Sequence, residues 1–131
     1  MSDQKYGLAS STVHSTYLNK ILDTLPKNPV IQNGAIKGFH ILQRYDRPVC
    51  TVSGGSDSDV MMDLIIKLDP ERKVDFVWCN PGLEYVATKR QIEYLENRYD
   101  RPIVKVRPKV NVIQSCRENG LPFLSKRVSD C

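Results

Sequence analysis

Apolar positions along this chain follow two different periods. Between Ser10 and Leu25 the residues Val13, Tyr17, Leu18, Ile21, Leu22 and Leu25 recur every third or fourth position, which predicts an amphipathic helix capped by Ser10, Ser11 or Thr12. Pro26-Lys27-Asn28-Pro29 reads as a break, and Ile31 to Tyr45 carries a weaker helical pattern through Ile36, Phe39, Ile41 and Leu42. The two helices are expected to form an N-terminal arm over residues 1–46, packed on a sheet that follows. From Arg47 short apolar runs alternate with helical patterns. Val49 to Val52, Val74 to Cys79 and Ile103 to Val106 read as buried strands. Between and after them, helices are predicted from Asp57 to Leu68, from Leu83 to Tyr99 and from Val110 to Arg117. The first should bury a face made of Val60, Met61, Leu64, Ile65 and Leu68. Such alternation implies an α/β fold with three layers, a parallel sheet and right-handed crossovers.

The connection after the first strand carries the candidate chemistry: Ser53-Gly54-Gly55-Ser56-Asp57-Ser58 leads from an apolar strand directly into a helix. Gly54 and Gly55 can take positive φ and bear no side chain, so the loop can turn sharply and aim successive N–H groups at an anion. The helix start adds free amides and the positive end of its dipole. Ser53, Ser56 and Ser58 are expected to supply hydroxyl donors, and Asp57 or Ser56 to cap the helix. The Walker pattern is absent and the loop holds no lysine. An ordinary glycine turn is the plain alternative, and the strand-to-helix context favours phosphate binding over it.

At these residues the chain resembles the PP-loop superfamily, whose Ser-Gly-Gly-x-Asp-Ser signature is matched by Ser53, Gly54, Gly55, Asp57 and Ser58. Within it, the chain is most similar to the phosphoadenosine phosphosulfate (PAPS) reductase family. That choice rests on the stretch from Phe76 to Thr88, in which Gly82, Glu84, Tyr85 and Thr88 match a strand followed by Asp-Thr-Gly-x-Glu-Tyr-Pro-x-Thr. Asn80, Pro81 and Ala87 or Val86 depart from that pattern, and Ser56 stands where reductases often carry Lys. Pro122 to Lys126 is similar to the family's Pro-x-x-Ser-Lys segment near the nucleotide. The resemblance implies a Rossmann-like fold over residues 47–131, with Gly82, Glu84, Tyr85, Ser125 and Lys126 joining the loop around an adenine nucleotide. Lys126 and Arg127 either supply the charge that the loop lacks or form a solvated basic turn. The bound nucleotide would be PAPS or ATP, with Mg²⁺ accompanying ATP. A reductase would draw on thioredoxin or glutaredoxin, and a homodimer is compatible with the sequence.

The superfamily's sheet has about five strands, with the loop-bearing strand in its interior. Three strands in the order third, second, first would leave Val49 to Val52 as an apolar edge. The chain is therefore expected to be the N-terminal part of a longer domain, or to have that edge covered by the arm or a partner.

Composition narrows the picture only a little. The sequence of 131 residues suits a single domain, and 19 Lys and Arg against 15 Asp and Glu give a net charge of +4, compatible with an anionic ligand. No basic block or RNA-binding aromatic signature points to nucleic acid, and no apolar run is long enough for a membrane span, so a cytoplasmic protein is expected. Cys50, Cys79, Cys116 and Cys131 form no Cys-x-x-Cys pair, and no metal site is expected. Cys50 and Cys79 should be buried in strands, and Trp78 in the core. His14 and His40 read as helix residues on or near the surface, and Arg44, Arg47, Arg98 and Arg101 as solvated rim residues. The Glu-Cys-Gly motif that carries the reductase nucleophile is absent, and Cys131, after Val128-Ser129-Asp130, does not match it. No catalytic residue is assigned, and no reductase turnover is expected from these residues alone. An ATP pyrophosphatase-type enzyme and a non-catalytic nucleotide-binding module are the alternative functions.

Overall fold

A computed structural model of the protein describes residues 8–120. In chain order the elements are α1 (Leu8–Thr24), α2 (Pro29–Arg44), β1 (Val49–Thr51), α3 (Ser56–Leu68), β2 (Asp75–Cys79), α4 (Val86–Tyr99), β3 (Ile103–Val106) and α5 (Val112–Asn119). The strands form one parallel sheet in the order β1-β2-β3, with Val49 opposite Asp75 and Phe76 opposite Ile103. This is the α/β architecture expected from the alternation of periods, and among the described residues β1 is an edge strand, with Val49 62% exposed. The described residues divide into two compact units, 8–48 with Val60–Val74, and Val49–Asp59 with 75–120.

In the first unit, Pro29 does not break a helix but begins one. The Asn28 side chain accepts from the Val30 amide at 2.8 Å, and Pro29 takes the first turn, where its missing N–H costs nothing. Ala35, Phe39 and Leu42 of α2 are buried, as are Leu25, Met62, Leu68 and Val74. A Cβ on Gly38 would lie 3.2 Å from Leu68 Cδ1, so α2 and the end of α3 are in close contact there. The Tyr17 hydroxyl donates to the Lys67 carbonyl at 2.7 Å. Burial, reinforced by the charge of Asp69, pushes the Tyr17 phenol above its usual range. Asp69 itself is buried and closes the turn before β2 by accepting from the amides of Lys73 and Val74 at 3.0 and 2.9 Å.

The buried face of α3 differs from the expected one. Met62 and Leu68 are buried, whereas Val60 is 68% exposed and Met61 is exposed as well. The run Val60-Met61-Met62-Asp63-Leu64-Ile65-Ile66 is apolar around most of the helix, so periodicity alone cannot fix its rotation.

In the second unit, Cys50, Val52, Phe76, Trp78, Ile92, Leu95 and Ile103 form the core. Alternation along β2 buries Phe76 and Trp78 and turns Cys79 outward with Asp75, so Cys79 is exposed, contrary to expectation. Arg101 also departs from its expected solvated role. It is only 5% exposed, and its guanidinium lies 5.3 Å from the centre of the Phe76 ring. The helix expected from Leu83 begins at Val86, because Asn80 Oδ1 accepts from the Gly82 amide at 2.9 Å and Gly82 has φ of +97°. Chain in that conformation cannot be α-helical, so Glu84 precedes the helix and Tyr85 is its N-cap residue. At the other end Asp100, with φ of 49°, terminates α4 in a left-handed cap. Glu96 then ties α4 to β3 by accepting from the Ile103 amide at 2.8 Å and from Lys105 Nζ at 2.7 Å.

Candidate functional site

The loop leaves the carboxyl end of β1, where the Val52 amide still donates to the Val77 carbonyl at 2.8 Å. Gly54 then adopts φ of +80°, and a Cβ there would stand 3.1 Å from Thr88 Cγ2 and 3.6 Å from Ile92 Cδ1. Glycine is required at this position twice, for its conformation and for the close approach of α4. Gly55 meets neither demand: its φ is not positive, and an added Cβ would make ordinary contact with Ser53 Oγ at 3.5 Å.

Ser58 organises the turn. Its Oγ accepts from the Ser53 amide at 3.1 Å and from Ser53 Oγ at 3.2 Å, and donates to the Gly55 carbonyl at 3.0 Å. Ser53 Oγ in turn accepts from the Gly55 amide at 3.3 Å. The hydroxyl protons of Ser53 and Ser58 are thus used inside the loop, which corrects the expectation that both are free donors. Ser56 and Asp57 are the first two residues of α3, inside the helix, so neither is its cap; Gly55 precedes the helix and its carbonyl accepts from Asp59 N at 3.1 Å. What the loop offers outward is backbone. Among the described residues, the amides of Gly54, Ser56, Asp57 and Ser58 have no hydrogen-bond partner. Four such donors at a helix N-terminus are the kind of group that an oxyanion can accept hydrogen bonds from.

An open cavity of about 490 Å³ adjoins this loop, lined by Thr51, Val52, Ser53, Ser58, Trp78, Cys79 and Glu84. It brings together Ser53, Ser58 and Glu84 of the expected site. Gly82 instead lines a second cleft with Asn80, Lys89, Arg107 and Asn111, and Tyr85 is 81% exposed and lines neither cavity. Ser125 and Lys126, together with Arg127 and Cys131, lie outside the described residues.

Sequence reasoning left out several residues that the fold brings to this region. Cys79 lines the loop cavity because strand alternation carries it away from the core. Asp59 accepts from Gln91 Nε2 at 2.7 Å, joining the first turn of α3 to α4, while its other carboxylate oxygen is sealed from solvent with no partner among the described residues. The repeated Ser-Asp-Ser-Asp of residues 56–59 was the available signal for it. Lys89 and Arg107 had no such signal, being ordinary charges until three segments meet. Burial raises the Cys50 thiol pKa above its usual range, which makes that cysteine unsuited to nucleophilic work. Among the described residues, no cluster of three or more His, Cys, Asp or Glu side chains is placed to hold a metal ion. No described helix is long and apolar enough to cross a membrane.

Comparison with known proteins places this geometry in a family. The chain is 29% identical over 103 residues to an uncharacterized protein of Methanocaldococcus jannaschii, a match covering 78% of this chain and 20% of that protein. It is 32% identical over 66 residues to the tRNA-cytidine(32) 2-sulfurtransferases of Shewanella sp. strain W3-18-1 and Shewanella putrefaciens, covering 50% of this chain and 20% of each enzyme. The matched stretch therefore spans about a fifth of these relatives' length. Residues 47–126 match the model of the phosphoadenosine phosphosulfate reductase domain, a span that holds the sheet and the glycine loop. The chain belongs to the phosphoadenosine phosphosulfate reductase domain family of the PP-loop superfamily.

Proposed function

We propose that this domain binds an adenine nucleotide, PAPS or ATP, with its phosphate-rich end on the loop from Ser53 to Ser58. The observation that carries this reading is the set of four amides without partners, at Gly54, Ser56, Asp57 and Ser58, beside a cavity lined by Ser53, Ser58 and Glu84. The loop's hydroxyl network holds those amides in place before any ligand arrives, so little ordering entropy opposes binding. A neutral donor set of this kind suits a phosphate chain whose charge is shared among several oxygens.

The family's name supports PAPS as the ligand, and the sulfurtransferase relatives support the second reading, in which ATP activates an acceptor substrate. In that reading an acceptor oxygen attacks the α-phosphorus, its bond to phosphorus forms as the bond to pyrophosphate breaks, and pyrophosphate leaves. Glu84 is the carboxylate in the loop cavity, and the free oxygen of Asp59 is out of reach of solvent. Mg²⁺ arriving with ATP would accordingly rest on phosphate oxygens and water, a coordination that this ion accepts. Reductase chemistry would instead need a thiolate delivered to the sulfuryl sulfur, followed by release of sulfite with a thioredoxin or glutaredoxin as reductant.

Calorimetry with PAPS and with ATP tests the reading. A Ser56→Pro variant removes one loop amide at a helix position that tolerates proline, leaving the fold intact. Saturable binding of at least one nucleotide, weakened in Ser56→Pro, is the expected result. Equal binding by both proteins would remove the loop from the site.

A further inference from the structure

The cleft that takes Gly82 is chemically unlike the loop cavity, and the two share no lining residue. It has a volume of about 280 Å³, and its lining includes Asn80, Gly82, Lys89, Arg107 and Asn111. Lys89 stands in the first turn of α4, Arg107 directly follows β3, and Asn111 caps α5. Among the described residues the Lys89 ammonium and the Arg107 guanidinium have neither an ion pair nor a side-chain hydrogen bond.

Asn80 shows what these groups await. It is only 7% exposed, and its Oδ1 accepts from the Gly82 amide, which fixes the orientation of the side-chain amide. Asn80 lines the cleft, and its Nδ2 has no acceptor among the described residues. Asn111 is arranged alike: Oδ1 accepts from the Gln114 amide at 2.8 Å, leaving the NH₂ group as the free end. Asn80 is buried and Asn111 exposed, and in the cleft their amide groups converge with two cations and no carboxylate.

We infer that this cleft is a second oxyanion site, independent of the nucleotide reading, that takes a phosphate monoester dianion through Arg107, Lys89 and the amide groups of Asn80 and Asn111. Arg107 offers a planar fork for two phosphate oxygens, and Lys89 a mobile point charge. The phosphate comes either free or carried on a nucleotide, and its recognition by the cleft is the same in both cases.

The test is titration of the full chain with inorganic phosphate, followed by calorimetry and by amide chemical shifts, at constant ionic strength set with chloride. Saturable binding is expected, with shifts at Gly82, Lys89 and Asn111. Arg107→Gln and Lys89→Gln should each weaken it about tenfold, the loss of one charge-assisted contact. Asn80→Asp keeps the bond from the Gly82 amide and exchanges the donor for a charge; it should reduce phosphate binding by more than tenfold while circular dichroism is unchanged. Competition then distinguishes the sources. Displacement of the bound phosphate by adenosine 3′,5′-bisphosphate identifies a nucleotide-borne group, and simultaneous binding of both identifies a free ion or a second substrate. Shifts confined to Gly54–Ser58, undiminished binding in Arg107→Gln, or no saturation would each overturn the proposal.

Discussion

The glycine loop and the Asn80–Arg107 cleft both present donors to an anion, but they are built on opposite principles. In the loop the donors are backbone amides, fixed by Gly54 and by the Ser53–Ser58 hydroxyl pair, and among the described residues lining the cavity there is no cation. In the cleft the donors are side chains, two of them charged, supported on three separate segments. The first kind of site is stiff and insensitive to the identity of its side chains, provided that the backbone path is kept. The second is tuned by single substitutions and screened by salt. The loop's expected response to mutation is therefore conformational, and the cleft's is electrostatic.

The largest effect should come from Gly54. Gly54→Val places a β-branched side chain at φ of +80° with its Cβ against Thr88, and should lower stability by ~2–4 kcal/mol in urea unfolding. Gly55→Ala, with neither strain nor clash, should stay within ~0.5 kcal/mol of the parent. A comparable loss at both glycines would mean that the loop is not held as described.

Cysteine reactivity separates the two sites next. Cys79 is exposed in the loop cavity, whereas Cys50 is buried with its thiol pKa raised, so iodoacetamide should label Cys79 more than ~10-fold faster, read by peptide mass spectrometry. Saturating nucleotide should slow the labelling of Cys79, while inorganic phosphate in the cleft should leave it unchanged. Equal protection by both ligands would merge the two sites into one.

Ser56→Pro should weaken nucleotide binding by about tenfold, the value of one amide to an ionised phosphate, with little change in salt dependence. Arg107→Gln should alter loop occupancy by nucleotide less than twofold if the cleft is occupied separately, and by about tenfold if both sites hold one molecule.

The smallest effect concerns the frame. Burial acts to raise the pKa of Glu96, but its hydrogen bond to Lys105, the Ile103 amide and the Lys105 charge outweigh this and lower it from the ordinary value of 4.5. A carboxylate with a lowered folded pKa stabilises the protein above its unfolded value and loses that contribution as the pH falls through the folded one. Glu96→Gln should cost up to ~1 kcal/mol at neutral pH, with the difference from the parent shrinking below pH 4.5. A constant difference across that range would detach the effect from ionisation.

Much of the fold was legible because its signals are local. The strands from Val49 and Ile103 and the turn between β1 and α3 are written in contiguous residues, and so is the helix that ends at Leu68. The start of α4 lies three residues beyond the position its sequence suggests, since Gly82-Leu83-Glu84-Tyr85 has the composition of a helix start but Gly82 bends with positive φ, its amide bonded to Asn80, and Tyr85 is extended. Arg101 has the sequence context of a solvated residue, since nothing in its neighbourhood announces that Phe76, distant in sequence, receives it. The site divides the same way. The loop could be found from one hexapeptide, whereas Cys79 depends on which face its strand buries and the cleft on three segments meeting.

The central claim, that the loop's unbonded amides receive nucleotide phosphates, is tested most directly by ¹⁵N-resolved amide shifts of the full chain during titration with ATP and, separately, with PAPS. The account predicts saturable downfield shifts of Gly54, Ser56, Asp57 and Ser58 with at least one of the two, and a smaller response at Gly55 and Ser53, whose amides are already bonded to Ser53 and Ser58 hydroxyls. Unmoved amides across Gly54–Ser58 at saturating nucleotide would contradict it.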